Sequence, residues 1–175
     1  TPVGEKKRML YPMPSAYEPK LVEAAWYSWW HAKGFFKPEY GRPAAEKKGT
    51  FTMILPPPNV TGSLHLGHAM MGSIEDSLAR WHRMRGEAVL FLPGCDHAGI
   101  ATQAVVEKKL KREQNLTKFD LGRDAFVAQV WKWKEQYGDR IYEQLKRMGL
   151  SVDWDRARFT LDESVNESVN EAFCR

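Results

Sequence analysis

The chain has 175 residues and a mass of 20.2 kDa, with 43% hydrophobic and 12% aromatic residues. This composition supports a folded core and excludes both a disordered chain and a complete large multidomain enzyme within this length. The net charge of +4 suits an anionic partner without requiring one. Because no apolar stretch is long enough to cross a bilayer and two cysteines provide no disulfide framework, we expect no membrane partner and a reducing compartment, the cytoplasm.

Residues 1–49 predict an N-terminal arm that precedes the main domain. Residues 1–19 contain four of the ten prolines and a run of charges at residues 5–8, which is typical of an extended arm or of a disordered leader, and both interpretations stay open. Residues 20–33 have apolar and aromatic side chains near helical spacing and predict one short aromatic helix that stops at Gly34.

Two strand-like runs follow, at residues 50–55 and 88–92, and each ends at proline. Between them the sequence predicts an amphipathic helix, and a second helix is predicted at about residues 99–113. The order strand, helix, strand, helix predicts a parallel sheet with right-handed crossovers, the first half of a Rossmann-like doubly wound α/β fold with an N-terminal helical arm. The apolar positions of the amphipathic helix are Met70, Ile74, Leu78 and Trp81, and its other face carries Glu75, Asp76, Arg80 and Arg83.

The clearest helix in the sequence lies at about residues 126–148, and a last helix is predicted after residue 155. The cations on the polar face of the long helix most simply form a solvated surface. Its apolar stripe, at steps of three and four, consists of Phe126, Val130, Trp133, Tyr137, Ile141, Leu145 and Met148.

Candidate functional residues converge after the first strand, where a loop rich in Pro and Gly leads to His65 and His68 at the start of a helix. In parallel α/β sheets, ligands bind beyond the carboxyl ends of the strands. Two imidazoles three residues apart can reach one ligand at a helix terminus that carries unpaired N–H groups, and phosphate is the expected ligand. Gly67 costs about 1 kcal/mol of helix stability but lets a flat ring or phosphate approach the backbone. An exposed histidine pair is an alternative, and a metal site is least favoured because no Cys or Glu completes it.

A second cluster, residues 94–99, follows the second strand at the same edge of the predicted sheet. Asp96 could bind a ligand ammonium there, but an N-cap for the next helix is the better interpretation from the residues alone. His97 could be a packed core histidine.

Residues 56–70, with the sequence PPPNVTGSLHLGHAM, resemble the first signature of class I aminoacyl-tRNA synthetases in the form that valine-specific members carry. Residues 93–103 resemble the second block of the same members, and residues 131–135 and 153–156 resemble stretches that precede the editing insertion. The similarity covers about residues 9–175, and its Cys95 is closer to the eukaryotic cytosolic form. The resemblance implies that residues 50–175 form the first half of the catalytic domain, truncated before the editing insertion.

This resemblance implies an active site that joins valine to AMP, releases pyrophosphate and passes the valine to tRNA. It implies that His65 and His68 are catalytic and stabilise the phosphates of ATP, and that Gly67 and Thr61 also bind ATP. Asp96 is implied to bind the ammonium of the amino acid, which reverses the N-cap interpretation. The implied amino-acid pocket comprises Pro57, Pro58, Asn59 and Asp96, and the signature comprises Pro58, Asn59, Val60, Thr61, Gly62, Ser63, Leu64, His65, Leu66, Gly67 and His68.

The expected partners are valine, ATP and tRNA(Val), with Mg²⁺ accompanying ATP and no metal held by this chain; a protein complex with translation factors stays open. No Lys-Met-Ser-Lys-Ser type loop occurs, so we expect the isolated chain to be inactive or weakly active. Isoleucine- and leucine-specific members are the nearest alternatives, and they usually differ at residues 57–62. From other classes, a non-catalytic tRNA-binding module and a scaffold for partner proteins stay open, as does the mitochondrial matrix for location.

Overall fold

The computed structural model describes Pro12 and residues 15–175 of the chain. The predictions for the charge run and for most of the extended arm therefore lie outside the described residues. In chain order the helices are α1 (Pro19–Val22), α2 (Trp26–Ala32), α3 (Leu66–Met84), α4 (Gly99–Gln114), α5 (Lys118–Leu121), α6 (Arg123–Arg147) and α7 (Glu163–Cys174). The strands are β1 (Thr50–Ile54), β2 (Ala88–Leu92), β3 (Gly94–Cys95) and β4 (Arg158–Phe159).

Strands β1 and β2 form the predicted parallel pair, with Thr50 opposite Ala88 and Ile54 opposite Leu92. Their connection runs through α3, which confirms the predicted crossover and the α/β class. The two strands differ in burial because β1 alternates between half-buried and exposed residues, whereas β2 is buried along most of its length. Because the two strands are parallel, their carboxyl ends lie at one edge of the sheet. The two loops that carry the candidate site follow these ends.

Strand β3 continues the line of β2 after Pro93 but pairs with β4 instead of β1. Gly94 makes this pairing possible, because a Cβ atom at this position would lie 2.5 Å from the carbonyl oxygen of Arg158. The N–H of Arg158 also donates to the carbonyl of Pro93 at 3.1 Å. The chain around residues 158–160 is thereby joined to the loop that leads to Asp96.

Helix α6 supplies much of the core, as its apolar spacing predicts. Phe126, Trp133, Ile141 and Leu145 are buried and belong to one cluster with the β2 side chains. The indole N–H of Trp133 donates to the carbonyl of Val60 at 2.9 Å, so the helix is also hydrogen-bonded to the signature loop. This bond ties the most regular element of the chain to the loop that precedes the candidate site.

Helix α3 is found where its periodicity predicts it, but its apolar stripe lies on the surface. The exposed fractions are Met70 63%, Ile74 58%, Leu78 47% and Trp81 49%. The buried side of α3 is instead built around Gly72, Asp76 and Ala79.

The buried side of α3 packs on the segment that follows α6. An Asp76 carboxylate oxygen accepts a hydrogen bond from the backbone N–H of Ser151 at 2.8 Å, and Arg83 donates to the Ser151 carbonyl at 2.7 Å. Burial lowers the pKa of Arg83 to about 10. Small residues and paired charges therefore face inward on this helix, because the backbone of residues 149–151 approaches it closely and needs hydrogen-bond partners.

The single aromatic helix predicted for residues 20–33 is wrong in one respect: the structure has two helices, α1 and α2. The break lies at Ala25, whose φ of 70° is left-handed and cannot continue a helix. Within α2, the hydroxyl of Tyr27 donates to the carbonyl of Leu150 at 2.6 Å and accepts from the indole N–H of Trp154 at 2.7 Å. Helix α2 is thus hydrogen-bonded to residues more than 120 positions later in the sequence.

None of the helices within the described part of the chain is both long and apolar enough to cross a membrane.

Candidate active site

His65 and His68 cap the N-terminus of α3. His65 is the N-cap residue, and its Nδ1 accepts a hydrogen bond from the backbone N–H of Gly67 at 3.1 Å. In return, Nδ1 of His68 accepts from the backbone N–H of His65 at 3.3 Å. This is a capping box made of two histidines, and it places the ring centroids 4.0 Å apart. The predicted convergence of the two imidazoles on one helix terminus is confirmed.

The capping bonds decide which ring nitrogens are free. Because each Nδ1 accepts a hydrogen bond, the hydrogen of each neutral ring is on Nε2. Neither Nε2 has a hydrogen-bond partner among residues 15–175, so each can donate to an anion. Burial and the neighbouring His65 lower the pKa of His68, which favours its neutral ring. The site therefore offers two N–H donors at a helix terminus that carries partial positive charge.

Gly67 has a role that the sequence did not show. A Cβ atom at this position would lie 3.0 Å from Cε1 and 3.1 Å from Nδ1 of His65. The flat ring that lies against the backbone here is thus the imidazole of His65. Glycine allows His65 to fold back over the first turn and cap it.

The signature loop and the second cluster are joined directly. The backbone N–H of Asp96 donates to the carbonyl of Pro58 at 2.8 Å, and the carbonyl of Asp96 accepts from the N–H of Val60 at 2.9 Å. Asn59 and Asp96 therefore form a parallel bridge beyond the carboxyl ends of β1 and β2. Two predicted amino-acid-binding residues, Asn59 and Asp96, are brought side by side, whereas Pro57 is exposed and Pro58 is buried next to them.

The Asp96 carboxylate accepts hydrogen bonds at only one of its two oxygens within the described residues. Its Oδ1 accepts from the N–H of Ala98 at 3.1 Å and from the hydroxyl of Thr160 at 3.0 Å. Its Oδ2 accepts none of the hydrogen bonds within residues 15–175, and the side chain is 35% exposed. The N-cap alternative for Asp96 is wrong, because Ala98 is the N-cap residue of α4.

His97 is not a core histidine. Its side chain is 38% exposed, and its Nδ1 lies 2.6 Å from the Thr160 hydroxyl. Thr160 thus contacts both Asp96 and His97, although it is more than 60 residues away in sequence. Thr160 could not be predicted from the sequence, because its place beside Asp96 depends on the pairing of β3 with the two-residue strand β4.

Cys95 precedes Asp96 and is buried. Burial raises the pKa of its thiol to about 11. It is therefore a neutral packing residue at physiological pH and is not an activated nucleophile.

A cavity of about 660 Å³ lies beside this loop, between α4, α5 and α6. Val60 and His97, the sequence neighbours of Asn59 and Asp96, line one side of it, and Trp131 and Phe159 lie in its apolar wall. Its lining does not include the four predicted amino-acid-binding residues, so those residues do not form the wall of this cavity.

No group of three or more His, Cys, Asp or Glu residues is arranged to hold a metal ion in the described ranges of the chain. The histidine pair in particular has no third ligand there.

The family described as tRNA synthetases class I (I, L, M and V) matches residues 25–175, which is most of the chain. The chain belongs to this family. The matched residues include both loops described above, the one with the histidine capping box and the one with the Asn59–Asp96 bridge.

Relatives within the family are valine-tRNA ligases. The chain is 65% identical over 178 residues to the valine-tRNA ligase of Homo sapiens and 54% identical to that of Caenorhabditis elegans. It is 56% identical to the mitochondrial valine-tRNA ligase of Homo sapiens. All of this chain is covered in each case, but only 14%, 17% and 17% of the relatives' own lengths. The chain thus spans about a sixth of the synthetases that it matches.

A solved structure supports the fold. LeuRS from Agrobacterium radiobacter, in a ternary complex with tRNA and LeuAMS, superposes with a TM-score of 0.68 over 91% of this chain and 18% of its own. At 21% identity this likeness concerns the fold. Together with the family match it confirms the predicted Rossmann-like α/β class. The division of the chain at residue 50 stays a prediction.

Proposed function

We propose that the full-length gene product activates valine with ATP and attaches it to tRNA(Val), and that this chain supplies one side of the adenylation site. The valine-tRNA ligases among its relatives support this proposal, and they do not favour the isoleucine, leucine or non-catalytic alternatives. The observation that carries it is the placement of two groups beyond the carboxyl ends of β1 and β2. One is the pair of imidazole N–H donors of His65 and His68, and the other is the Asp96 carboxylate, whose Oδ2 can accept from a ligand.

The histidine pair is suited to phosphate. When the valine carboxylate attacks the α-phosphate of ATP, negative charge develops on the phosphate oxygens and pyrophosphate leaves. Donors that are already fixed in place stabilise such charge without reorganising during the reaction. The capping box fixes His65 and His68 in this way, and the N-terminus of α3 adds its partial positive charge. In this proposal Gly67 and Thr61 contact ATP beside them.

The Asp96 loop is suited to the amino acid. Its Oδ2 would accept a charge-assisted hydrogen bond from the valine ammonium, which is stronger than a neutral one. Asn59 lies beside it through the parallel bridge, and Pro57 and Pro58 complete the proposed pocket edge. An apolar pocket edge with one charged acceptor is a typical way to orient a small amino acid.

The remaining requirements would come from outside this set of residues. We propose that Mg²⁺ enters with the ATP phosphates, because Mg²⁺ in such sites is held largely by substrate phosphates and waters. A second anion-binding loop, the tRNA contacts and any partner proteins are assigned to the rest of the gene product. We propose the cytoplasm as its location, and the mitochondrial relatives make the matrix the alternative to test.

The proposal is tested by ATP–pyrophosphate exchange with the full-length gene product. Valine, isoleucine, leucine and threonine are supplied in turn at equal concentrations. We expect valine to give the highest kcat/KM. Exchange that is highest with isoleucine or leucine would reassign the substrate, and a folded protein with no exchange would refute the adenylation site.

A further inference from the structure

We propose that Thr160 is a positioning residue for the amino-acid substrate, acting through its hydroxyl on the Asp96 carboxylate. This inference rests on the proposed role of Asp96 in binding the valine ammonium. The structural observation is a hydrogen-bond junction at the Thr160 Oγ1 atom, which joins Asp96 and His97 to the turn after β4.

Three groups surround the Thr160 hydroxyl at hydrogen-bond distance. Oδ1 of Asp96 lies 3.0 Å away, the backbone N–H of His97 donates to Oγ1 at 2.9 Å, and Nδ1 of His97 lies 2.6 Å away. Nδ1 of His97 is also 3.4 Å from Oδ1 of Asp96. One hydroxyl therefore serves both side chains of the loop.

The hydrogen positions follow from the chemistry of each group. An ionised carboxylate only accepts, so the single hydroxyl hydrogen of Thr160 goes to Asp96. Two lone pairs are left on Oγ1, and the His97 backbone N–H takes one of them. The close Nδ1 contact is then favourable only if Nδ1 carries a hydrogen and donates to the second lone pair. The Thr160 hydroxyl thus uses its whole hydrogen-bonding capacity.

This junction fixes which carboxylate oxygen faces a ligand. Oδ1 of Asp96 already accepts from Thr160 and Ala98, whereas Oδ2 has no partner within residues 15–175. The backbone N–H of Thr160 donates to the carbonyl of Cys95 at 3.2 Å, so both ends of the Thr160–Asp96 contact are tied to one strand pair. Without the hydroxyl, a carboxylate that is 35% exposed would rotate and bind water. Holding Oδ2 toward the ligand reduces the entropy lost on binding.

The test uses Thr160→Val and Thr160→Ser in the full-length gene product, with ATP–pyrophosphate exchange as the assay. Valine keeps the shape of threonine but removes the hydroxyl, whereas serine keeps the hydroxyl. We expect Thr160→Val to raise the KM for valine about tenfold, the loss typical of one hydrogen bond to a charged group, with kcat and the KM for ATP within about twofold. Thr160→Ser should stay within about twofold of the unmodified protein.

Two controls separate positioning from folding. Thr50→Val removes an exposed hydroxyl at the amino end of β1, away from the site, and should change no kinetic constant. Thr160→Ala removes the Thr160 hydroxyl without placing a methyl group against the His97 N–H, and it should give the same rise in the KM for valine. If Thr160→Val does not fold, the alanine variant decides the result.

A double variant distinguishes this inference from the proposed function. If Thr160 acts through Asp96, then adding Thr160→Val to Asp96→Asn should raise the KM for valine by less than about twofold more. An unchanged KM for the substrate valine in both Thr160→Val and Thr160→Ala would overturn the inference while leaving the role of Asp96 in place. A fully multiplicative effect on this KM in the double variant would do the same. An unchanged KM in Asp96→Asn alone would instead overturn the proposed ammonium site.

Discussion

The substitution Gly67→Ala tests how the histidine pair is positioned. An added methyl group would lie 3.0 Å from Cε1 of the His65 ring, closer than carbon atoms normally approach, so the ring must shift by a few tenths of an ångström. Loss of the side-chain cap costs about 0.5–2 kcal/mol, whereas alanine gains about 0.5–1 kcal/mol over glycine in a helix. These effects oppose each other. We therefore expect a change in the free energy of unfolding between a loss of about 1.5 kcal/mol and a gain of about 0.5 kcal/mol.

The effect on catalysis should be much larger than the effect on stability. A misplacement of about 1 Å in a catalytic group can lower a rate about a hundredfold, so a smaller shift of the His65 ring should lower kcat for ATP–pyrophosphate exchange about tenfold. The KM for valine should stay within about twofold. Exchange is measured with the full-length gene product, and the free energy of unfolding is measured by urea titration of this chain.

Gly138→Ala is the matched control. Gly138 is a helical glycine in α6, and a Cβ atom there meets nothing within 4 Å. This variant should gain about 0.5–1 kcal/mol of stability and leave exchange unchanged. A raised KM for ATP with kcat unchanged would refute the positioning of His65 by Gly67. That result would show that alanine disturbs only the proposed ATP contact of Gly67 and leaves the His65 ring in place.

Three further substitutions test other parts of the site. Asp96→Asn should raise the KM for valine about tenfold or more because a charged partner of the ammonium is lost; an equal fall in kcat at constant KM, seen in the exchange assay, would contradict this. His68→Ala should lower the exchange kcat about a hundredfold while valine binding, followed by calorimetry, stays nearly constant; weakened valine binding with an intact rate would refute the phosphate role. Gly94→Ala should destabilise this chain by about 1–3 kcal/mol in urea titration, since its methyl group would meet the Arg158 carbonyl; an unchanged midpoint would refute the close approach.

Local periodicity was enough to predict the elements that carry the site. The apolar runs at residues 50–55 and 88–92 correspond to β1 and β2, and the apolar stripe from Phe126 onward corresponds to α6. The histidine pair at a helix start also follows from local sequence, because a helix terminus is defined by the few residues around it. These predictions depend on short-range signals, and the structure confirms them.

Long-range packing explains what the sequence did not show. The stripe that contains Met70 and Ile74 has the period of a buried face, but the side of α3 that packs is set by the approach of residues 149–151. The break at Ala25 carries no Gly or Pro signal. Thr160 reaches Asp96 only because β4 pairs with β3, and a two-residue strand has no detectable periodicity. Each of these features depends on contacts between segments that are distant in sequence.

The two bonds of the Tyr27 hydroxyl have a consequence for synthesis on the ribosome. Its partner Trp154 is made 127 residues later, so α2 cannot reach its final packing until nearly the whole of this chain has been translated. At about 5–20 residues per second, the delay is about 6–25 seconds. Throughout that interval, the Tyr27 hydroxyl lacks both of its native hydrogen-bond partners, Leu150 and Trp154. We expect the nascent chain to need chaperone protection at this aromatic helix until residues 150–154 have been made.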